Sequence, residues 1–323
     1  MRWRTASEES CTCSLPGAKS REPALCSMLV CRRDLRSMTP SSDAQLNASS
    51  SSLPEQGMEL PRLFHFDLPP LKQTGQPFPE QTNISSIHHV LDIASGDGQW
   101  TISAAQTLPQ VQFVGIEGQA GLVEQARAQA KQEGVTNVTF TLMDPFAPLD
   151  LPDGAFDLVN ARYIAGLLEA AAWPNALQEF VRVTRPGGVI RLTENDLPIS
   201  NTVAFAQLGG LISDALYETK RSFSSNGQLL SVTPALKRLL QDAGSQEVQQ
   251  GVWFINFSAG KPAHADLCQR LSQTYRLAQP FLIRTGVTTP EAVEQTYQQM
   301  LSEMQSDDFC AGAFSLTVWG TRP

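Results

Sequence analysis

The sequence predicts an α/β protein built around a doubly wound, mostly parallel sheet. From about residue 84, short apolar runs typical of buried strands alternate with helical patterns, and glycine-rich turns separate the two. This alternation is typical of βαβ units, whose parallel strands are covered by helices on both faces. In such sheets a ligand binds at the carboxyl ends of the strands, close to the first strand of the chain.

Each element of the first half follows from a local pattern. We predict strands at "HHVLDIA", "VQFVGIEG", "VTFTLMD", "AFDLVNAR" and "VIRLTEN", which are short apolar runs bounded by turn residues. We predict helices at "WTISAAQTL", "GLVEQARAQAKQEG" and "AAWPNALQEFVRVT", where apolar residues recur at helical spacing. The proline and glycines of "RPGG" are expected to end the third helix before the fifth strand begins.

The second half predicts two more strands and two helical insertions. "VQQGVWFINFSAG" and "AFSLTVWGTRP" have strand patterns, and a helical run, "FAQLGGLISDALYETKRSF", follows the fifth strand. Helical spacing also relates two sets of apolar residues between the last two strands: Leu267, Leu271 and Tyr275, then Val293, Tyr297 and Leu301. We expect the insertions, at about 200–243 and 260–309, to form a helical lid over the carboxyl ends of the strands.

Charge and hydropathy indicate a small-molecule partner. The 323 residues carry a formal net charge of −8. Residues 1–57 contain 7 Lys/Arg and 6 Asp/Glu, which leaves 17 against 26 for residues 58–323. An acidic body argues against a nucleic-acid partner, because binding to phosphates needs clustered Lys and Arg. No apolar run of about 18 residues is present, so no membrane span is expected.

The first 57 residues differ in composition from the rest of the chain. They are predicted to be a disordered tail, and Met58 is a candidate for the true start. Cys11, Cys13, Cys26 and Cys31 lack the paired spacing of zinc modules, so no metal site is expected. No apolar leader is apparent, which favours a cytoplasmic location, with Cys268 and Cys310 as reduced buried thiols. Residues 58–83 are predicted to be an N-terminal cap segment, and the oligomeric state is left open.

The turn "SGDG" after the first strand restricts the ligand. The dinucleotide fingerprint is incomplete because Thr101 stands where a third glycine is needed, and no lysine is present for a phosphate-binding P-loop. Asp92 ends the strand and Asp97 lies within the turn. A pyrophosphate there would meet two carboxylates, and a like-charge pair at about 4 Å costs roughly 4 kcal/mol. The turn therefore favours a nucleoside that carries positive charge.

Several sequence motifs occur in the order found in the class I S-adenosylmethionine-dependent methyltransferases, and the sequence resembles that family over roughly residues 84–323. The first motif stands as "VLDIASGDG", with Ala94 in place of the family's first glycine. The second is the acid Glu117 of "VGIEG", and the third strand ends in "TLMDP". "FDLVNAR" matches the fourth motif and "VTRPGGVIRL" the turn and strand after it. The resemblance implies a Rossmann-like, seven-stranded sheet whose last two strands form an antiparallel hairpin at one edge.

The resemblance implies S-adenosyl-L-methionine as the cofactor. Glu117 would accept hydrogen bonds from the ribose hydroxyls, and Asp144 would accept from the adenine amino group. The predicted cofactor-binding residues are Asp92, Ala94, Ser95, Gly96, Gly98, Glu117, Gly118, Asp144, Pro145, Asn160, Ala161 and Arg162. The implied reaction is in-line methyl transfer to a small, aromatic or lipophilic metabolite, as in the ubiquinone/menaquinone methyltransferase-like branch.

Candidate catalytic residues follow from predicted position. Glu194 ends the fifth strand, Tyr163 follows the fourth, and His65 lies in the cap segment. Asp157 begins its strand at the end away from the ligand, and we interpret it as structural. Two alternatives remain open: a NAD(P)-dependent oxidoreductase on a related sheet, and a non-catalytic cofactor-binding protein.

Overall fold

A computed structural model describes residues 75–323, all within the compact unit Gln56–Pro323. The predicted tail at 1–57, most of the cap segment and His65 lie outside the described residues. Residues 75–83, the end of the cap segment, form turns that lead through a short 3-10 helix, Ile84–Ser86, into the first strand.

The core of the fold is one mixed sheet. Its strands are β1 His89–Ile93, β2 Gln112–Glu117, β3 Val138–Leu142, β4 Phe156–Arg162, β5 Thr184–Asn195, β6 Ile199–Ser200, β7 Gln246–Asn256 and β8 Ala311–Thr321. β1 to β5 are parallel in the order β3-β2-β1-β4-β5, which confirms the predicted doubly wound sheet. β8 runs antiparallel between β5 and β7, so the predicted hairpin edge is also present. The expected seven strands become eight because the two-residue β6 pairs with β8.

Seven α-helices are present in residues 75–323. They are α1 Gln99–Thr107, α2 Ala120–Gln132, α3 Trp173–Val183, α4 Val203–Glu218, α5 Thr233–Asp242, α6 His264–Arg284 and α7 Pro290–Glu303. The predicted helix boundary at "RPGG" needs correction, because β5 already begins at Thr184 and includes this stretch. Thr184 pairs with Phe156, and a register shift follows before the regular pairing resumes at Val189. The glycines thus form an irregularity within a strand.

The helical insertions share their packing with the sheet. Phe205 of α4 contacts the rings of Phe257, Tyr275 and Phe309 at centroid distances of 5.8 to 6.2 Å. These side chains belong to the same buried cluster as Leu91 of β1. The apolar spacing that predicted the insertions therefore mainly reflects core packing. None of the helices in the described part of the chain is long and apolar enough to cross a bilayer.

Asp157 fastens the amino ends of β1 and β4. Its Oδ2 accepts hydrogen bonds from the backbone N–H groups of His88 and His89, at 2.8 and 2.7 Å, and Arg185 contacts its Oδ1. Burial opposes ionisation, but the Arg185 guanidinium and the two N–H groups hold the pKa of Asp157 below its ordinary value. These contacts agree with a structural role. The expected burial of both thiols is wrong for Cys310, which is exposed, whereas Cys268 is buried.

Gly98, which precedes α1, is predicted to be the least replaceable glycine of the first turn. Its φ is +76°, and an added Cβ would lie 2.6 Å from the Phe140 ring. We expect Gly98→Ala to lower the free energy of unfolding by about 2 to 4 kcal/mol, combining backbone strain and overpacking. Gly134→Ala is the matched control, since its φ is +68° but its Cβ would meet nothing within 4 Å. If urea unfolding showed the same loss of unfolding free energy in both variants, the proposed steric effect at Gly98 would be contradicted.

Candidate functional site

The turn between β1 and α1 has an unusual backbone. Ala94, Gly96 and Gly98 have φ values of 53°, 63° and 76°, in the left-handed region. The Ser95 N–H donates to the Ile116 carbonyl of β2 at 3.0 Å, and the Gly98 N–H donates back to the Ser95 carbonyl at 3.1 Å. The alternating left-handed residues curl the chain tightly at the carboxyl end of β1, which explains the glycine spacing of the motif.

Ala94 is the one non-glycine residue among the three. An L-residue in the left-handed region costs roughly 1 to 2 kcal/mol, so replacing the family's glycine introduces strain. Its side chain is also buried and lines the cavity described below. The substitution therefore strains the backbone as well as narrowing the cavity.

A cavity of about 240 Å³ opens beside this turn. It is lined by Asp92, Ile93, Ala94, Ser95, Gly96, Asp97, Gln99, Trp100, Leu122, Arg162 and Arg270. Five of the predicted cofactor-binding residues are in this lining: Asp92, Ala94, Ser95, Gly96 and Arg162. No heavy atom lies within 4 Å of the position that a Cβ on Gly96 would take. The backbone here is open to a ligand.

Asp92 is buried at the base of the cavity. Its Oδ2 accepts a hydrogen bond from Thr101 Oγ1 at 2.6 Å, and its Oδ1 accepts from Asn160 Nδ2 at 2.7 Å. Burial raises the pKa of Asp92 above its ordinary value, although nearby Arg162 and these hydrogen bonds oppose the rise. A cationic group in the cavity would stabilise the carboxylate further. The site is therefore suited to receive positive charge.

Two guanidinium groups also face the cavity: Arg162, which is among the predicted cofactor-binding residues, and Arg270, which the sequence argument did not anticipate. Arg162 lies over the Trp100 ring, with its Cζ 4.3 Å from the ring centroid, and Arg270 reaches the cavity from α6. Opposed to Asp92 and Asp97, they give the lining both signs of charge. The cavity thus suits a ligand that carries an ammonium and a carboxylate on neighbouring atoms.

Glu117 ties β2 to the neighbouring turn. Its Oε2 accepts from the Gly96 N–H at 3.0 Å and its Oε1 from the Gln119 N–H at 2.9 Å. The side chain is buried and does not line the cavity. Each carboxylate oxygen has a second lone pair, so these bonds are compatible with further acceptance from hydroxyl groups. Glu117 therefore also shapes the turn, a role that its sequence position alone did not indicate.

The other predicted cofactor residues surround the same end of the sheet without lining the cavity. Gly118 and Asp144 are exposed after β2 and β3, and a Cβ on Gly118 would lie 3.5 Å from Pro145 Cδ. The Asp144 side chain accepts from the Phe146 N–H at 3.0 Å. Asn160 and Ala161 are fully buried in β4. The Asn160 amide donates to Asp92, so Asn160 supports a residue of the lining, and its own contact with the cofactor stays a prediction.

Glu194 and Tyr163 are brought together at the ends of β5 and β4. Glu194 Oε1 accepts from the backbone N–H groups of Ile164 and Ala165, at 2.6 and 3.1 Å. Burial raises the pKa of Glu194 to about 8. Tyr163 has a φ of 56°, which is rare for a bulky residue and is found mostly at functional sites. Both side chains are buried, and neither lines the described cavity.

Reasoning from the sequence missed five residues of the cavity lining: Ile93, Gln99, Trp100, Leu122 and Arg270. Gln99 and Trp100 directly follow the motif, and their place in the first turn of α1 was a usable signal. Arg270 lies in α6, and the apolar spacing that predicted this helix gives no information about the polar residues on its other face. Only the tertiary structure brings it to the cavity.

Comparisons with known proteins point to one family. Residues 90–188 match a family model described as a methyltransferase domain. The demethylmenaquinone methyltransferase of Symbiobacterium thermophilum is 29% identical over 129 residues, which cover 40% of this chain and 51% of the relative. The demethylmenaquinone methyltransferase of Lactiplantibacillus plantarum is 28% identical over 200 residues, which cover 57% of this chain and 79% of the relative. The chain spans about half the length of most curated relatives it matches.

Among solved structures, phosphoethanolamine N-methyltransferase 2 of Haemonchus contortus, in complex with phosphomonomethylethanolamine and S-adenosylhomocysteine, is 16% identical. The match covers 73% of this chain and 49% of that chain, with a TM-score of 0.44. The family assignment depends on the sequence matches together with the site geometry. Residues 90–188 match a methyltransferase domain, and these matches confirm the predicted resemblance to the class I S-adenosylmethionine-dependent methyltransferases.

Proposed function

We propose that the protein transfers a methyl group from S-adenosylmethionine to a small, aromatic or lipophilic metabolite by in-line displacement. The observation that carries this proposal is the cavity beside "SGDG", whose lining combines Asp92 with Arg162 and Arg270. The methionine part of the cofactor carries an ammonium and a carboxylate, and both find an oppositely charged side chain there. A cytoplasmic location and the absence of a nucleic-acid partner remain predictions.

Different residues around the cavity would bind different parts of the cofactor. Asp92 would face the ammonium, and the two arginines would face the carboxylate with charge-assisted hydrogen bonds. Glu117 would accept from the ribose hydroxyls with its remaining lone pairs, and Asp144 would accept from the adenine amino group at the end of β3. The open space at Gly96 supports close approach of the ligand to the backbone.

Little further chemistry is required of the protein. The cofactor supplies a methyl group that its sulfonium already activates. The chain must therefore align the acceptor and exclude water, which are contributions of position and enclosure. Arg270 lines the cavity from α6, and this supports the lid role proposed for the helices at 200–243 and 260–309.

The acceptor class is inferred from the relatives. Several are named demethylmenaquinone methyltransferases, whose substrates by that name are lipophilic quinone-type molecules. We propose an acceptor of similar chemistry, bound near Tyr163 and Glu194. Glu194, with a pKa of about 8, is suited to take a proton from an acceptor hydroxyl near neutral pH, because general bases work best with a pKa near the working pH.

The first alternative, a NAD(P)-dependent oxidoreductase, is disfavoured by Thr101. This residue occupies the position of the missing third glycine, is fully buried, and donates to Asp92. A dinucleotide's pyrophosphate would also approach the buried Asp92 carboxylate. The second alternative, a non-catalytic cofactor-binding protein, differs from the proposal only in turnover.

Binding of S-adenosylhomocysteine tests the cofactor site. We expect micromolar affinity by calorimetry for the full chain and no binding of NADH. Glu117→Ala should weaken the affinity at least about tenfold, since it removes a carboxylate hydrogen-bond partner worth roughly 1.5 to 3 kcal/mol. Glu124→Ala on exposed α2 is the matched control and should bind normally. Binding of NADH alone would support the oxidoreductase instead.

Turnover tests the acceptor. With radiolabelled S-adenosylmethionine, we expect methyl transfer to reduced demethylated naphthoquinones and not to simple amines. Glu194→Gln should lower kcat roughly 10² to 10⁴-fold if the carboxylate is the base. Tyr163→Phe should lower turnover less, because it retains the ring. Unchanged turnover in both variants would remove these residues from the catalytic set, and binding without transfer to any acceptor would favour the non-catalytic alternative.

Glu194 should also make the fold sensitive to pH. Its pKa is raised from 4.5 to about 8 in the folded protein, so the folded state holds the proton more tightly than the unfolded state. Its contribution to stability is present in full below about pH 4.5 and is lost as the pH rises through about 8. In urea unfolding, Glu194→Gln should become more stable relative to the parent at pH 8 than at pH 5. A difference between Glu194→Gln and the parent that stays the same at pH 5 and pH 8 would contradict the raised pKa of Glu194.

A further inference from the structure

Three polar side chains form a continuous row through the interior of the sheet. Asp92 of β1 pairs in register with Asn160 of β4, which pairs with Arg191 of β5. Side chains at paired positions point to the same face of a sheet. Arg191 Nη1 donates to Asn160 Oδ1 at 2.8 Å, and Asn160 Nδ2 donates to Asp92 Oδ1 at 2.7 Å. Hydrogen bonds therefore connect Arg191 to the carboxylate at the cavity.

Arg191 is buried in the sheet, with only 1% of its surface exposed. A guanidinium at this depth requires a negatively charged partner, because an unpaired buried charge is strongly unfavourable. Glu80 is that partner, since Arg191 Nε donates to Glu80 Oε1 at 2.7 Å and the Glu80 side chain is 10% exposed. Glu80 precedes β1 in the chain. The end of the cap segment thus supplies the counter-ion of a residue in the sheet interior.

The same segment touches the cavity by a second route. Phe78 is fully buried, and its ring lies edge-on to Trp100 at a centroid distance of 5.8 Å. Arg191 Cζ lies 5.7 Å from the Phe78 ring centroid, and Trp100 carries Arg162 on its own ring. Phe78 and Glu80 therefore contact Arg191 directly, and Phe78 also contacts the Trp100 ring that carries Arg162.

The charges along this path alternate in sign. Two strand spacings place Arg191 about 10 Å from Asp92, close enough for an unscreened buried charge to matter. With Glu80 present, the positive charge of Arg191 is offset locally. Without Glu80, that positive charge would repel a cation bound at Asp92. In agreement, Arg191 is one of the groups that oppose the rise in the pKa of Asp92, after burial and nearer neighbours.

We propose that Glu80 is a positioning residue for the cofactor site, which by neutralising Arg191 leaves the negative charge of Asp92 available to a cationic ligand. The ammonium that would face Asp92 is common to S-adenosylmethionine and S-adenosylhomocysteine, so both should bind more weakly without Glu80. S-adenosylmethionine should lose more affinity, because it alone also carries the sulfonium charge. This inference rests on the proposed function of the same cavity. It assigns to a residue outside the motifs a part in distinguishing cofactor from product.

The test is the ratio of the Kd for S-adenosylmethionine to the Kd for S-adenosylhomocysteine, measured by calorimetry on the full chain. Glu80→Gln should raise this ratio about threefold to tenfold, as expected for one uncompensated charge at 10 to 15 Å in a protein interior. Arg191→Gln, which leaves Glu80 uncompensated, should shift the ratio in the opposite direction. The second variant keeps the test decisive if the first does not fold.

Asp157→Asn is the matched control. It also removes an acid that pairs with an arginine and contacts β1, but its partner Arg185 is 40% exposed and so is screened by water. The ratio of the two Kd values in Asp157→Asn should equal that of the parent protein. If the parent binds neither ligand, the proposed function fails and this inference with it. If the parent binds both but Glu80→Gln leaves the ratio unchanged, or weakens both ligands equally, only this inference is overturned.

Discussion

The rest of the site depends on the buried carboxylate of Asp92. Its two oxygens accept from Thr101 in α1 and Asn160 in β4, so a single side chain of β1 joins three elements. An ionised group at this depth must be satisfied, and these donors together with Arg162 supply the required partners. The position of α1 relative to the sheet, and hence the shape of the cavity, follows from these contacts.

Much of the fold was predictable because its information is local. The strands at "VLDI" and "VGIE" are apolar runs with an acid at the last or next-to-last position, and the glycines at 96 and 98 mark a left-handed turn. Parallel strands bring their carboxyl ends to one edge, so Asp92 and Glu117 were expected near each other. The Glu117 hydrogen bond to the Gly96 N–H bears out that proximity.

The remaining features depend on contacts between residues far apart in sequence. Glu80 and Arg191 are separated by 111 positions, and neither lies in a motif. Arg191 is a charged residue within the predicted strand "VIRLTEN", yet it is among the largest fully buried side chains. Arg270 likewise reaches the cavity only through the tertiary placement of α6. Periodicity indicates which residues are apolar, but it cannot identify the partner of a buried charge.

The shared core of sheet and insertions limits how the site can open. Phe205 and Tyr275 belong to the same apolar cluster as Leu91 and Trp173, so α4 and α6 have no separate core of their own. A swing of these helices away from the sheet would expose that cluster to water and would approach global unfolding in free energy. Exchange of ligands should therefore proceed through rotamer changes and fraying at the cavity rim, with the helices remaining in place. In this architecture the movement that admits a ligand should involve only a few side chains at the cavity rim.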